Sequence, residues 1–299
     1  MAQPTDSLTT RARRLGGALE PVIGQVYFAP ECHANYQALG FDGSPGEFSG
    51  VAGPDGPAYF TSRGSLLGQV PGQVVAAAFG VFRPDVVVAA VDRGWSLTDA
   101  DTIRTARDDG ALAHLERHIG ASPDGLGLVS DALERAASAV RVEGRALTAG
   151  VSALDVPDHP LGRVFRFGDL LREFRGDSHI ASWVTADLDA IEIGLLTELY
   201  WGLPLRSYAR TRGWSAEQFD TGEESLRSKG LIDDDGFTDD GRELRERIET
   251  DTDRQMAGVV AAFGDDFDEV IEVLAGWGAT VRAGHGYPAS GPHDLARAR

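Results

Sequence analysis

The chain has 299 residues, 42% of them hydrophobic, which is enough to bury a core without disulfides or structural metal. Its 46 acidic against 28 basic residues leave a net charge of −18, a field that repels phosphate backbones and anionic membrane surfaces at long range. No run of about 18 apolar residues appears, and the opening MAQPTDSLTTRARR lacks the apolar stretch of a secretory signal, so a cytoplasmic protein with no membrane partner is expected.

Residues 8–39 read as helix, divided by Pro21 and Pro30 into two short pieces. The single cysteine, Cys32, excludes an intramolecular disulfide and reads as a packing residue. Residues 40–57 are so dense in glycine and proline that neither helix nor strand is expected; this is a loop placed to lie over a site. Residues 65–82, broken near Pro71, and 85–91 are apolar and helix-compatible. Residues 98–118 form a charged amphipathic helix opened by the Thr98/Asp101 pattern, and 131–142 form another. Ile180, Val184, Leu188, Ile191, Leu195 and Leu199 make a stripe that predicts one core helix over 180–199. A last helix carries Phe267, Val270, Ile271, Leu274, Trp277 and Val281 and folds back on the rest; the tail from Gly284, with its basic ending, shows no regular pattern.

From Glu192 onward the order is helix, a break at Gly202-Leu203-Pro204, a short helix through Arg210, a turn at Arg212-Gly213, and a helix capped by Ser215 that ends at Gly230. A hairpin turning on Asp233-Asp234-Asp235-Gly236 then leads into a long charged helix. Helix, helix, helix, hairpin, helix is the winged form of helix-turn-helix. The fold class expected is mainly α: a helical domain over 1–190, a winged-helix-like module with a short β-hairpin over 191–255, and a returning helix and tail over 256–299.

The charge of that module is wrong for ordinary DNA reading. Residues 215–229 set Glu217, Asp220, Glu223 and Glu224 against Arg227 and Lys229, and residues 231–240 carry five aspartates and no base. Each close approach of a carboxylate to a phosphate costs about 1 kcal/mol in water, so DNA is an unfavoured partner, supported only by Arg206, Arg210 and Arg212.

The phrase LRSKGLIDDDGFTDDGRELRERIE resembles the wing of regulators of the MarR type. Together with EPVIGQVYFAPE (20–31), AYFTSRGSLLG (58–68) and LREFRGDSHIASWV (171–184), it resembles an actinobacterial family usually labelled helix-turn-helix or MarR-like, over roughly residues 10–280. The resemblance implies the winged-helix fold and carries no activity with it. The chain departs from it at Ser178, where an RGDGH-like phrase more often has glycine, and after Val281.

Arg175-Gly176-Asp177-Ser178-His179 places an acid, a hydroxyl and an imidazole just before the apolar stripe. Either Asp177 or Ser178 caps the 180–199 helix, or His179 is a general acid or base oriented by Asp177. On a helix those two residues do not face each other, so the pair requires a non-helical turn. Tyr27 and Glu31, four apart, share a helical face if Pro30 permits and then reach one cavity; a solvated Glu31 is the plainer reading. Arg63 and Arg175 are candidates for holding an anionic ligand group. His114 and His118 have zinc-ligand spacing, but Leu115 stands where the H-E-x-x-H pattern needs glutamate, so no metal is expected, and no cofactor motif is visible. These residues favour a small-molecule-binding protein using cofactor-free acid–base chemistry if it is an enzyme, with the winged helix as scaffold. The rival reading is a MarR-like, ligand-responsive transcriptional regulator acting as a homodimer.

Overall fold

The computed structural model describes residues 7–289 and is mainly helical. Ser7 accepts a hydrogen bond from the Thr10 amide and opens α1 (Leu8–Ile23), with Pro21 in its last turn. A 3-10 turn (Gly24–Tyr27) separates it from α2 (Pro30–Ala38), whose Pro30 occupies the first turn, where its missing N–H costs nothing. The glycine-rich segment is irregular apart from a two-residue strand pair, β1 (Glu47–Phe48) against β2 (Val51–Ala52). Its end is helical after all, because Asp55 caps α3 (Gly56–Gly64) and Pro57 fits the first turn. Next come α4 (Gly72–Phe79), α5 (Pro84–Trp95) and α6 (Ala100–Ile119). The cap of α6 is Asp99, one residue beyond the Thr98 of the sequence reading. Helix α7 (Leu126–Ala137) starts and stops earlier than the expected 131–142, and α8 (Ala146–Ser152) was not foreseen.

The single helix expected over 180–199 is two helices. α9 (Pro160–Thr185) ends in that stretch and α10 (Ala190–Tyr200) begins in it. Asp187 between them has φ +57, and Asp189 with Glu192 forms a complete capping box that restarts the chain as a new helix. The apolar stripe had the right period but runs through this corner, leaving Val184 54% exposed. Asp177 and Ser178 therefore do not cap a 180–199 helix; both lie inside α9.

After α10 the chain makes a 3-10 turn (Ala209–Arg212), then α11 (Ala216–Ser228), the antiparallel pair β3 (Ile232–Asp233) and β4 (Gly236–Phe237), and α12 (Asp239–Gln255). Ser215 and Gln218 form a capping box for α11, and Thr238 caps α12. α11 lies close on α10 because residue 222 is glycine: a Cβ there would stand 2.5 Å from Ile191 Cγ2. The segment between α10 and α11 is anchored by Glu198, which is buried and accepts from the backbone amides of Arg206, Tyr208 and Ala209 at 2.5–2.6 Å.

Finally α13 (Ala257–Ala262) and α14 (Phe267–Ala283) return, α14 packing along α1. Residues 284–289 continue from it, and Tyr287 is buried; the basic ending, 290–299, lies outside the described residues. Two hydrophobic clusters result, one joining α1–α9 with α13 and α14, the other centred on α10–α12 with Leu195, Phe219, Leu226 and Ile248. Among the described residues no helix is long and apolar enough to cross a membrane.

Candidate functional site

Where these two clusters meet there is a cavity of about 760 Å³. Its walls come from α1, α3, the 45–56 loop and α9 on one side, and from α10, the 208–212 turn and α12 on the other; Tyr287 adds to them. The glycine-rich loop thus does border a cavity, at Pro45, Gly46, Glu47, Gly53, Pro54 and Gly56.

Helix α9 supplies the central wall by simple periodicity. Arg172, Arg175, Gly176, His179, Ile180 and Trp183 recur at helical spacing and all line the cavity. Residues 177 and 178 fall on the opposite face. Asp177 accepts from the Thr148 amide (2.9 Å) and hydroxyl (2.7 Å) at the start of α8, and Ser178 accepts from Arg145 Nε (3.2 Å). The expected Asp177–His179 pair is therefore absent: a continuous helix separates the two side chains by more than half a turn.

The charged groups of the wall are arranged as forks. Arg63 donates to both carboxylate oxygens of Glu173 (2.6 and 3.0 Å) and lies 4.4 Å from the Phe79 ring centre. Arg172 donates to both oxygens of Glu20 (3.0 and 3.1 Å), a carboxylate that also accepts from the Tyr287 hydroxyl (3.1 Å). Glu249 accepts from Arg245 (2.7 Å) and Arg175 (3.0 Å). Burial alone would raise the carboxyls of Glu173 and Glu249, but the facing guanidinium groups outweigh it and hold both below the ordinary range. Burial raises the Tyr27 phenol, so it stays neutral, and its oxygen accepts from Arg172 Nη1 (3.3 Å).

His179 stands 3.8 Å from Glu249 and 3.3 Å from the Thr252 hydroxyl. Burial lowers its imidazole to about 4 despite Glu249, so it is neutral at pH 7. An unfolded imidazole takes up its proton near pH 6.5. Between about pH 4 and 6.5 the unfolded chain therefore binds more protons, and stability rises with pH across that window. Replacing His179 with Asn should shrink the difference between melting temperatures at pH 4.5 and pH 7; an unchanged difference would mean that this imidazole titrates normally.

Of the residues expected at one site, Tyr27, Arg63, Arg175 and His179 meet at the cavity. Glu31 does not. Tyr27 belongs to the 3-10 turn and Glu31 to α2, with an extended Ala29 between, so they share no helical face. Glu31 instead accepts from Arg117 Nε (2.5 Å) and lies 2.7 Å from His114 Nδ1. These bonds outweigh its burial and lower its carboxyl to about 2. The rings of His114 and His118 meet edge to face with centroids 4.6 Å apart, and among the described residues no group of three or more histidine, cysteine or acidic side chains is placed to hold a metal. Cys32 is buried against Gly110.

The sequence reading missed Arg172 and Trp183, which the 172/175/176/179/180/183 spacing would have given had the helix been extended back to Pro160, and Glu173, which lies off that series. It also missed Glu20, Arg212, Arg245 and Glu249, which only tertiary packing brings in. Residues 12–288 match the model of a family described as a helix-turn-helix family. No curated protein and no solved structure matches the chain.

Proposed function

The chain belongs to this helix-turn-helix family, and from that premise we propose that it is a ligand-responsive regulator. A small molecule in the cavity sets the position of the helix-turn-helix segment, α10–α12, relative to the helical body. The observation that carries this reading is that both halves of the molecule wall the same cavity. An occupant touching both favours one relative placement, by as much as its contacts differ between placements.

The finer assignment, a MarR-like winged helix acting on DNA as a homodimer, draws support from the order α10, turn, α11, β3–β4 hairpin, α12. Charge limits how it works. Arg206 is held by Glu223 (2.6 Å) and Asp220 (2.7 Å), and Arg212 lines the cavity. Arg210, Arg242 and Arg247 are exposed on the segment, but the net charge of −18 repels bulk DNA, so any target must be read through particular base and shape contacts. Titrating a labelled duplex from the protein's own promoter region against a non-specific competitor tests this reading.

A second reading, cofactor-independent acid–base chemistry with the helix-turn-helix segment as scaffold, is favoured by one observation: a neutral imidazole, His179, in the cavity wall. In that reading the helix partner of the imidazole is Glu249 on α12 and not Asp177.

A further inference from the structure

The geometry points to a ligand class for this cavity: a molecule with a flat apolar body and one anionic group, the anion being received by Arg212. The inference rests on the receptor reading above. Five described arginines line the cavity, and four are already matched: Arg63 with Glu173, Arg172 with Glu20, and Arg175 and Arg245 with Glu249. Arg212 differs. Its Nη2 donates to the Tyr208 hydroxyl, its guanidinium carbon lies 4.5 Å from the Phe82 ring centre and 4.7 Å from that of Tyr208, and no described carboxylate lies within 4.0 Å. A guanidinium cannot shed its charge, and its planar fork suits a carboxylate or sulfonate. The lining carboxylate without an arginine, Glu47, is exposed on the loop, so a cation gains no comparable partner inside.

The apolar part of the ligand is set by the rings around that charge. Tyr59, Phe60, Phe79 and Phe82 pack edge to face or tilted with centroids 4.9–6.3 Å apart and line the same cavity. Trp183, only 5% exposed, also lines it, and its indole Nε1 donates to no described residue, leaving a donor for a second oxygen on the ligand.

Arg212 also links the cavity to the helix-turn-helix segment. It ends the 3-10 turn just before Gly213 and the Ser215 cap of α11. Its carbonyl accepts from the Arg83 amide (3.0 Å), and Trp214 Nε1 donates to the Val81 carbonyl (3.1 Å). An anion on Arg212 therefore bears directly on the turn that places α11 against the body.

A matched pair of fluorescent compounds tests this on the full chain: 8-anilinonaphthalene-1-sulfonate and N-phenyl-1-naphthylamine, which share a skeleton and differ by the sulfonate. Arg212→Gln should weaken the sulfonate roughly tenfold or more and leave the neutral amine nearly unchanged, with Arg212→Lys intermediate. Gly176→Leu, where a Cβ meets nothing closer than 3.9 Å, should fill the cavity and weaken both. If Arg212→Gln weakens both compounds equally, or neither, while Gly176→Leu blocks both, the anion proposal is overturned and the receptor reading stands. Binding that ignores Gly176→Leu, or no binding of either compound, overturns both. Circular dichroism of each variant separates loss of binding from loss of fold.

Discussion

Glu173→Gln is expected to destabilise the protein by about 3–5 kcal/mol, the cost of leaving a buried charge without its partner. Glu173 is fully buried and holds Arg63, whose side chain is 14% exposed, through two hydrogen bonds. The substitution keeps the shape and removes the charge, so Arg63 stays buried opposite a neutral amide that directs one of its own N–H groups at the fork. Arg172 loses less, because Glu20 still engages it. Denaturant melting measures the loss. The double variant Arg63→Met, Glu173→Leu should recover most of it, since a buried pair replaced by apolar side chains of similar size is often neutral or better. A loss below about 1 kcal/mol for Glu173→Gln would mean that the pair is solvated like a surface salt bridge.

Glu198→Ala is expected to unfold the 203–212 segment while leaving the body folded. Its carboxylate is the acceptor for three backbone amides, and each buried donor left without an acceptor costs about 1–3 kcal/mol. One of those amides belongs to Arg206, held at φ +63, a left-handed conformation that costs a non-glycine residue about 1–2 kcal/mol and persists only while its surroundings impose it. Tyr208 and Arg212 lie on the released segment, so 8-anilinonaphthalene-1-sulfonate affinity should fall together with a low-temperature transition in the fluorescence of Trp201 and Trp214. A single cooperative melt with affinity retained would show that the segment holds its place without Glu198.

The α10–α12 segment was legible because its boundaries are written locally: Ser215 with Gln218 as a capping box, Gly230 after α11, and the Asp-Asp-Asp-Gly turn before Thr238. The site was only partly so. α9 is buried on nearly all sides, including Arg166, Asp169 and Glu173, so its sequence lacks the one-sided pattern that marks a surface helix. That hid residues 160–179, and it made the corner at Asp187 look like the middle of a continuous stripe. Arg175 and His179 were found because they sit in a dense polar phrase. The same phrase drew in Asp177, which helical geometry turns toward α8. Arg63 was legible as a buried-anion holder only in kind: its anion is Glu173, from 110 residues away in the chain.

The most direct test of the regulator reading is fluorescence anisotropy of a red-labelled duplex from the protein's own promoter region, at low and moderate salt with non-specific competitor, in the presence and absence of 8-anilinonaphthalene-1-sulfonate. The account predicts binding of that duplex with a shallow salt dependence, because few phosphates can be neutralised, no uptake of the competitor, and a severalfold change in affinity when the cavity is filled. No binding of the promoter duplex even at low salt would contradict it and leave the α10–α12 segment as scaffold for a ligand-binding or catalytic cavity.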